Sequence, residues 1–245
     1  WSSGLVPDAP GVIAIIGAPA AASRTVTLGQ PVTLGTLAFE QGFGAATNLL
    51  AGANITFDGN GTAALVSVSG GGGGHAALTQ SAALATETEL RTTASNDLLT
   101  LAGALTGSRR LVKSGPGMLA LTADSTAYAG PVIATNGVLR VNGILTAPVQ
   151  IAAGAALEGH GSTGVISGAG AIRLGATVLT APSSSAATLA FVLGAKGLPA
   201  AEVAASSSNS VLRLTAAAAL PVPPSAVQIF LDAPSLLPGD RLAGG

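Results

Sequence analysis

The chain contains no cysteine, and it has few charged and few aromatic residues. Without cysteine it can form neither a disulfide framework nor a thiolate-bound zinc or iron–sulfur site. Charged residues make up 9% of the 245 residues, against roughly 25% in an ordinary soluble domain. Aromatic residues are only 3%, which is too few to fill the thick core of a two-sheet sandwich. The composition therefore favours a fold with a narrow, aliphatic core.

Charge and hydropathy exclude several partners. The net charge is −1, and the only adjacent basic pair is Arg109-Arg110, so no basic patch is available for nucleic acid or for an anionic membrane surface. No stretch holds 18 consecutive apolar residues, so no membrane-spanning helix is predicted. Because the sequence begins at Trp1 rather than Met, we expect a processed or excised piece of a longer protein.

Short bursts of alternating apolar and polar residues dominate the sequence. Examples are Ala64–Val68 and Val138–Val141, and the bursts recur about every 8–12 residues and end at turn-forming residues. With a mean hydropathy of +0.60, this pattern argues for ordered β-structure rather than disorder. It predicts a parallel β-solenoid of about ten coils with roughly 20–25 residues each, the alternative being a β-sandwich or jelly roll. Three segments remain ambiguous between helix and other structure: 82–91, 198–205 and 215–220.

The solenoid interpretation predicts one domain over residues 1–245, with a looser insertion or loop region at 70–97. We expect a purely aliphatic interior, with charges in turns or at strand edges. The predicted core column comprises Leu119, Leu121, Val132, Leu139, Val141, Val149, Ile151 and Leu157.

One segment, 111–143, carries a specific pattern. It reads LVKSGPGMLALTADSTAYAGPVIATNGVLRVNG, and it resembles the autotransporter-associated β-strand repeat: a K-x-G-x-G-x-L-x-L start, a Y-x-G middle and an N-x-G-x-L-x-V-N-G end. The matching residues are Lys113, Gly115, Gly117, Leu119, Leu121, Tyr128, Gly130, Gly137, Leu139, Val141, Asn142 and Gly143. A looser likeness extends over most of 105–215. The chain departs from the pattern at Ala129-Gly130-Pro131, where Pro131 must lie at a strand start because it has no N–H to donate.

The resemblance implies a right-handed parallel β-helix, exported from a Gram-negative cell and displayed at its surface. It also implies a C-terminal translocator barrel outside this segment. Because such repeats occur in many secreted bacterial surface proteins, the likeness indicates architecture and location more than a task. A surface protein or glycan of host or bacterium is the candidate partner class, and solenoid ends or edges offer a route to self-association.

Candidate catalytic residues are sparse. His75 follows a glycine run and His160 lies between glycines, so we expect both in turns or at the surface. Because the chain has no G-x-S-x-G motif, neither histidine is predicted to serve a nucleophilic serine. Glu87 and Glu89 would share one strand face and could form a glycosidase acid–base pair, provided that they clustered in one groove with Arg91 and Asp97.

Candidate metal and phosphate motifs are weaker still. Asp58–Gly61 lacks the spacing of a calcium loop and is predicted to be a turn that uses left-handed Asn and Gly. Gly70–Gly74 lacks the lysine and strand-to-helix context of a phosphate loop.

The sequence therefore predicts no catalytic, cofactor-binding or metal-binding residue, and no cofactor. The leading hypothesis is a non-enzymatic structural or adhesin-like segment. A β-helix carbohydrate lyase or hydrolase and a self-assembly module are the alternatives.

Overall fold

The computed structural model describes residues 5–17, 23–41, 47–70, 73–174, 178–181, 188–193, 211–214 and 226–231. These residues form 26 β-strands and no helix. The first nine strands are β1 (Ile13–Gly17), β2 (Arg24–Leu28), β3 (Val32–Leu34), β4 (Thr36–Gln41), β5 (Thr47–Gly52), β6 (Ile55–Phe57), β7 (Ala64–Gly70), β8 (His75–Leu78) and β9 (Ala82–Leu84). The next nine are β10 (Thr88–Thr92), β11 (Leu98–Leu101), β12 (Leu105–Gly107), β13 (Leu111–Ser114), β14 (Met118–Leu121), β15 (Val132–Ala134), β16 (Gly137–Val141), β17 (Ile144–Leu145) and β18 (Val149–Ile151). The last eight are β19 (Ala155–Glu158), β20 (Ser162–Thr163), β21 (Ile166–Ser167), β22 (Ala171–Leu174), β23 (Val178–Ala181), β24 (Thr188–Leu193), β25 (Val211–Leu214) and β26 (Ala226–Leu231).

The strands lie in four sheets, and the chain visits the sheets in turn rather than finishing one before the next. Sheet A has the order β1-β4-β7-β10-β13-β15-β18-β21, and sheet B has the order β2-β5-β8-β11-β14-β16-β19-β22-β24-β26. Sheet C has the order β12-β9-β6-β3, and sheet D has the order β17-β20-β23-β25. Each described strand therefore pairs with the equivalent strand one circuit earlier or later along the chain.

Every described pairing between these strands is parallel, whereas a β-sandwich or jelly roll pairs its strands mainly antiparallel. The long parallel sheets are consistent with a parallel β-helix. The length of a circuit varies along the chain: Ile13 to Thr36 and Thr88 to Leu111 are each 23 residues apart, Thr36 to Leu65 are 29, Val149 to Ile166 are 17, and Thr188 to Ala226 are 38. The predicted coil length therefore describes some of the circuits, while others are longer or shorter.

The ambiguous segment 82–91 is not helical, because it supplies β9 and most of β10. Residues 70–97, predicted as a looser region, also contribute β8, and these three strands pair on both sides with their neighbours in sheets B, C and A. The segments 198–205 and 215–220 lie outside the described residues.

The interior is built from in-register columns of aliphatic side chains. In sheet B, Leu119 pairs with Leu139 and Leu139 pairs with Leu157, so that three buried leucines stack directly on one another. All eight residues of the predicted core column are buried, which confirms that part of the prediction. A side chain such as that of Leu139 is covered by the equivalent side chains of the two adjacent strands, Leu119 and Leu157. Stacking in register therefore removes it from water.

Tyr128 lies where the third face of the coil stack changes sheets. Sheet C ends at β12 and sheet D begins at β17, and residues 122–131 between them form no strand. The hydroxyl of buried Ser125 accepts a bond from the Leu105 amide, while the Ser125 amide donates to the Ile144 carbonyl. The hydroxyl of fully buried Tyr128 donates to the Arg109 carbonyl at 2.6 Å. This segment therefore bridges the two sheets by hydrogen bonds from its own residues.

Gly115 begins the turn after β13 at a φ of 78°, a conformation that L side chains rarely adopt. A Cβ at this position would also overlap the carbonyl oxygen of Thr92 in the preceding coil. Gly61 has a similar φ of 85°, but a Cβ there would meet nothing within 4 Å. An alanine at Gly61 would therefore add backbone strain alone, whereas an alanine at Gly115 would add the same strain and an overlap with the preceding coil.

We expect Gly61→Ala to lower the free energy of unfolding by about 1–2 kcal/mol, the usual cost of a left-handed conformation. Gly115→Ala should cost more than twice as much, because the Cβ must also push the backbone of Thr92 in the preceding coil away. Urea unfolding followed by circular dichroism measures both. Equal losses in the two variants would show that the overlap at Thr92 is relieved at no cost.

Candidate functional site

Lys113 is the least expected side chain in the structure. It belongs to the inward-facing row of sheet A, where it pairs with Leu90 on one side and Ala134 on the other, and it is fully buried. Its ammonium group donates to the carbonyl oxygens of Ser114 at 2.8 Å and Gly115 at 2.7 Å. It is also within 3.2 Å of two further acceptors, Thr92 Oγ1 and the Asn136 carbonyl. The expectation of a purely aliphatic interior is therefore wrong at this position.

The acceptors of Lys113 come from three successive coils. Thr92 ends β10, Ser114 and Gly115 lie at the end of β13, and Asn136 follows β15. Corner carbonyls lack ladder partners and must find donors when they are buried. Lys113 supplies those donors, and burial lowers the pKa of its ammonium group to about 8. Since its Nζ is enclosed by carbonyls and a hydroxyl, the arrangement joins coils rather than presenting an amine to a substrate.

The sequence singled out Lys113 only as a residue matching a repeat. One signal for its position was available: Lys113 occupies the inward phase of the alternation in Leu111–Ser114, two residues after the buried Leu111. Sequence reasoning did not anticipate that the methylene groups of a lysine can lie in the buried aliphatic column while its ammonium group bonds the carbonyls where the strand ends.

Of the two carboxylates proposed for an acid–base pair, Glu89 lies in β10 and Glu87 immediately precedes that strand, and both are partly exposed. Glu87 accepts two bonds from Arg110, and Glu89 accepts two from Arg91. Glu89 also accepts a 2.5 Å bond from the Ser114 hydroxyl. Each carboxylate therefore has its own arginine, and Arg91 and Arg110 are both exposed. Exposed pairs of this kind contribute little to stability.

Asp97 does not join that group. It is buried in the corner between β10 and β11, where its carboxylate accepts bonds from the amides of Thr93 at 3.0 Å and Ala94 at 2.8 Å. Its other oxygen accepts a bond from the Gly74 amide of the preceding coil at 2.8 Å. All of these donors are backbone groups of corner residues. Asp97 is therefore occupied in holding the corner.

Asp97→Ala should lower the free energy of unfolding by about 3 kcal/mol or more, because the buried Gly74 amide and the part-buried amides of Thr93 and Ala94 lose a charged acceptor. Asp124→Ala is a matched control: its carboxylate accepts one bond, from the exposed Thr126 amide at 3.1 Å, and about 1 kcal/mol or less should be lost. Urea unfolding of the two variants measures the difference. Equal stability of both variants would contradict the role assigned to Asp97.

The two histidines lie far apart in the coil order. His75 is not in a loop as expected: it begins β8, pairs with Leu98 and Thr47, and is partly buried. His160 is exposed in the turn after β19, as predicted. Neither forms a cluster of three or more metal-ligating side chains within the described part of the chain.

The predicted turn at Asp58–Gly61 is confirmed. Asn60 has a φ of 55° and Gly61 a φ of 85°, and the Asp58 carboxylate accepts a 2.9 Å bond from the Asn60 amide. This is the local bond by which Asp initiates a turn. The Asp58 carboxylate therefore stabilises the turn by accepting a bond from the backbone two residues further on. The glycine run Gly70–Gly74 is described only in part, and its described residues adjoin β7 and β8.

Comparison with known proteins finds no family model, no curated protein and no solved structure that matches this chain. The described residues contain no helix long and apolar enough to cross a membrane.

Proposed function

We propose that the chain is a right-handed parallel β-helix that serves as a non-enzymatic, adhesin-like passenger segment of a secreted or surface-displayed bacterial protein. The observation that carries the proposal is the use made of the polar residues in the repeat-like segment 111–143. Lys113 and Tyr128 bind backbone carbonyls of the coil stack, and both side chains are fully buried. These two residues of the repeat-like segment therefore stabilise the stacked coils, and neither is available to a substrate.

A coil stack suits export through a narrow pore, because each coil needs only its neighbour in order to fold. In-register leucines such as Leu119 and Leu139 give an emerging coil an apolar surface on which to pack. The absence of cysteine is compatible with this route, since no disulfide can lock the chain before export is complete. A glycan or protein partner would bind at the outer surface of the coils, which carries few charges.

The test places the chain between a signal peptide and a translocator barrel in a Gram-negative host. Surface labelling and protease shaving of intact cells should detect the chain outside the cell, and displaying cells should adhere to a protein or glycan surface that barrel-only cells do not bind. Retention of a folded chain in the periplasm, or display with no gain in adhesion over the barrel alone, would argue against the proposal.

The enzyme alternative is tested separately on the purified chain. We expect no release of reducing sugars or unsaturated uronides from bacterial and plant polysaccharides. Activity that Glu87→Ala and Glu89→Ala both abolish would establish a lyase or hydrolase instead.

A further inference from the structure

The pair Asn136-Gly137 combines a chemically labile sequence with a geometry that favours its reaction. The Gly137 amide donates to Oδ1 of Asn136, the residue immediately before it, at 2.7 Å. This bond holds the Gly137 nitrogen beside the side-chain carboxamide of Asn136, and glycine has no Cβ to hinder a closer approach. Because Asn136 is exposed, its carboxamide can rotate and water can reach it. The nitrogen is therefore placed to attack the carboxamide carbon and close a five-membered ring.

A second Asn-Gly pair, at the other end of the same strand, is held differently. Asn136 immediately precedes β16, and Asn142 immediately follows it. The amides of Asn142 and Gly143 both donate to the Leu121 carbonyl of the preceding coil, at 2.9 and 3.3 Å. Ring closure at Asn142 must first break the bond between Gly143 and Leu121, whereas ring closure at Asn136 breaks a bond to the reacting side chain itself. The two pairs therefore provide a matched comparison within one strand.

The backbone carbonyl of Asn136 has a cation beside it. The ammonium group of the buried Lys113 lies 3.2 Å from this carbonyl oxygen. In a succinimide ring at Asn136 the same carbonyl would be one of the two that water can attack. A hydrogen bond from an ammonium group stabilises the negative charge that develops on the oxygen as water adds. Lys113 therefore favours attack at the backbone carbonyl over attack at the former side-chain carbonyl.

We propose that Asn136 is a site of spontaneous conversion to isoaspartate, with water as the only co-reactant and with Lys113 directing the outcome. In the first step the Gly137 nitrogen bonds to the side-chain carbon of Asn136, and the carboxamide C–N bond breaks. The proton of the Gly137 nitrogen passes through solvent to the leaving group, which departs as ammonia. In the second step water adds to the backbone carbonyl of Asn136, and the bond from that carbon to the Gly137 nitrogen breaks. The chain then continues through the former side chain, and the former backbone carbonyl has become a carboxylate.

The product changes the contact between two coils at Lys113. The four acceptors of its ammonium group are neutral: the Thr92 hydroxyl and the carbonyls of Ser114, Gly115 and Asn136. Conversion replaces the last of these by a carboxylate, and hydrogen bonds between charged partners are shorter and stronger than those to neutral ones. A neutral contact between the coils of β13 and β15 thereby becomes an ion pair.

The rate of conversion is measured by peptide mass spectrometry on the whole folded chain. Trypsin cuts after Lys113, Arg140 and Arg173, so Asn136 and Asn142 fall in different peptides. Incubation in heavy-oxygen water, followed by digestion in ordinary water, labels only those carboxylates that form before digestion. Asn136 should convert about tenfold faster than Asn142, because Asn142 alone must lose a backbone bond, and this difference should vanish in urea. Equal rates in the folded chain, or an Asn136 that stays unconverted, would overturn the proposal.

The direction of ring opening is measured separately, as the ratio of isoaspartate to aspartate in the peptide that contains Asn136. Electron-transfer fragmentation distinguishes the two products. The ratio should be about tenfold higher in the folded chain than in urea, because the ammonium group of Lys113 lies beside the backbone carbonyl only in the folded chain. In folded Lys113→Met it should fall to the value found in urea. A ratio that is the same in the folded chain and in urea would refute the role of Lys113, even if Lys113→Met failed to fold.

Discussion

Replacing Leu139 with aspartate is expected to lower the free energy of unfolding by about 5 kcal/mol or more. Leu139 is fully buried between Leu119 and Leu157, so the carboxylate would have neither water nor a donor within reach, and the leucine volume would be lost as well. Because each coil depends on its neighbours, the damage should reach the adjacent coils and lower the melting temperature of the whole stack.

Far-UV circular dichroism and thermal melting measure the effect of Leu139→Asp. Val138→Asp in the same strand is the matched control, since Val138 faces outward and is partly exposed; it should cost about 1 kcal/mol. If Leu139→Asp melts like the unaltered chain, the register assigned to β16 is wrong.

Replacing Lys113 with methionine is also expected to destabilise the fold strongly. Methionine keeps most of the buried stem, but the carbonyls of Gly115 and Asn136 lose the ammonium donor, and the Ser114 carbonyl keeps only the 3.5 Å bond from the Thr92 hydroxyl. Unsatisfied buried acceptors cost about 1–3 kcal/mol each, so a loss of about 3 kcal/mol near pH 7 is expected. Urea unfolding measures it, and unchanged stability would show that the carbonyls find other donors.

The pH dependence of this difference has a defined sign. Burial lowers the pKa of Lys113 to about 8 from its ordinary value of 10.5. Between these two pH values the unfolded chain holds more protons than the folded one, so the free energy of unfolding rises with pH across that window. Lys113→Met lacks this rise. Burial also raises the pKa of Tyr128, but Tyr128 is present in both proteins and cancels in the comparison. A difference that stays flat from pH 8 to 10.5 would contradict the lowered pKa.

Much of the architecture could be predicted from the alternation of small apolar residues. Short bursts such as Met118–Leu121 have one inward face, and a narrow coil needs no large side chains. Pro131 also behaves as predicted, immediately before β15, where its missing amide costs no ladder bond while its carbonyl still accepts from Leu111. The alternation within a strand and the position of a proline depend on neighbouring residues in the sequence, so both can be predicted without the fold.

What could not be predicted depends on contacts between coils. The segment 82–91 looked ambiguous because its Ala, Leu and Glu residues favour helix, yet pairing with the coils on both sides makes it β-structure. The partners of Glu87 and Asp97 include Arg110 and Gly74, which lie about one circuit away along the chain. No local pattern states which residues share a corner, so the candidate acid–base group could not be resolved into two surface ion pairs and one corner carboxylate without the fold.

The change in circuit length along the chain has a consequence for folding fidelity. A stack of identical coils can slip by one repeat and still satisfy every backbone bond, which is the characteristic error of repetitive β-structure. Here the circuit Thr36–Leu65 is longer than Ile13–Thr36 before it and than Thr88–Leu111 after it, and Val149–Ile166 is shorter than all three. A displaced coil would bring together strands and turns of different spacing, and a glycine such as Gly115 would no longer lie against the Thr92 carbonyl that leaves no room for a Cβ. The unequal circuits therefore disfavour stacks in which one coil has slipped past another.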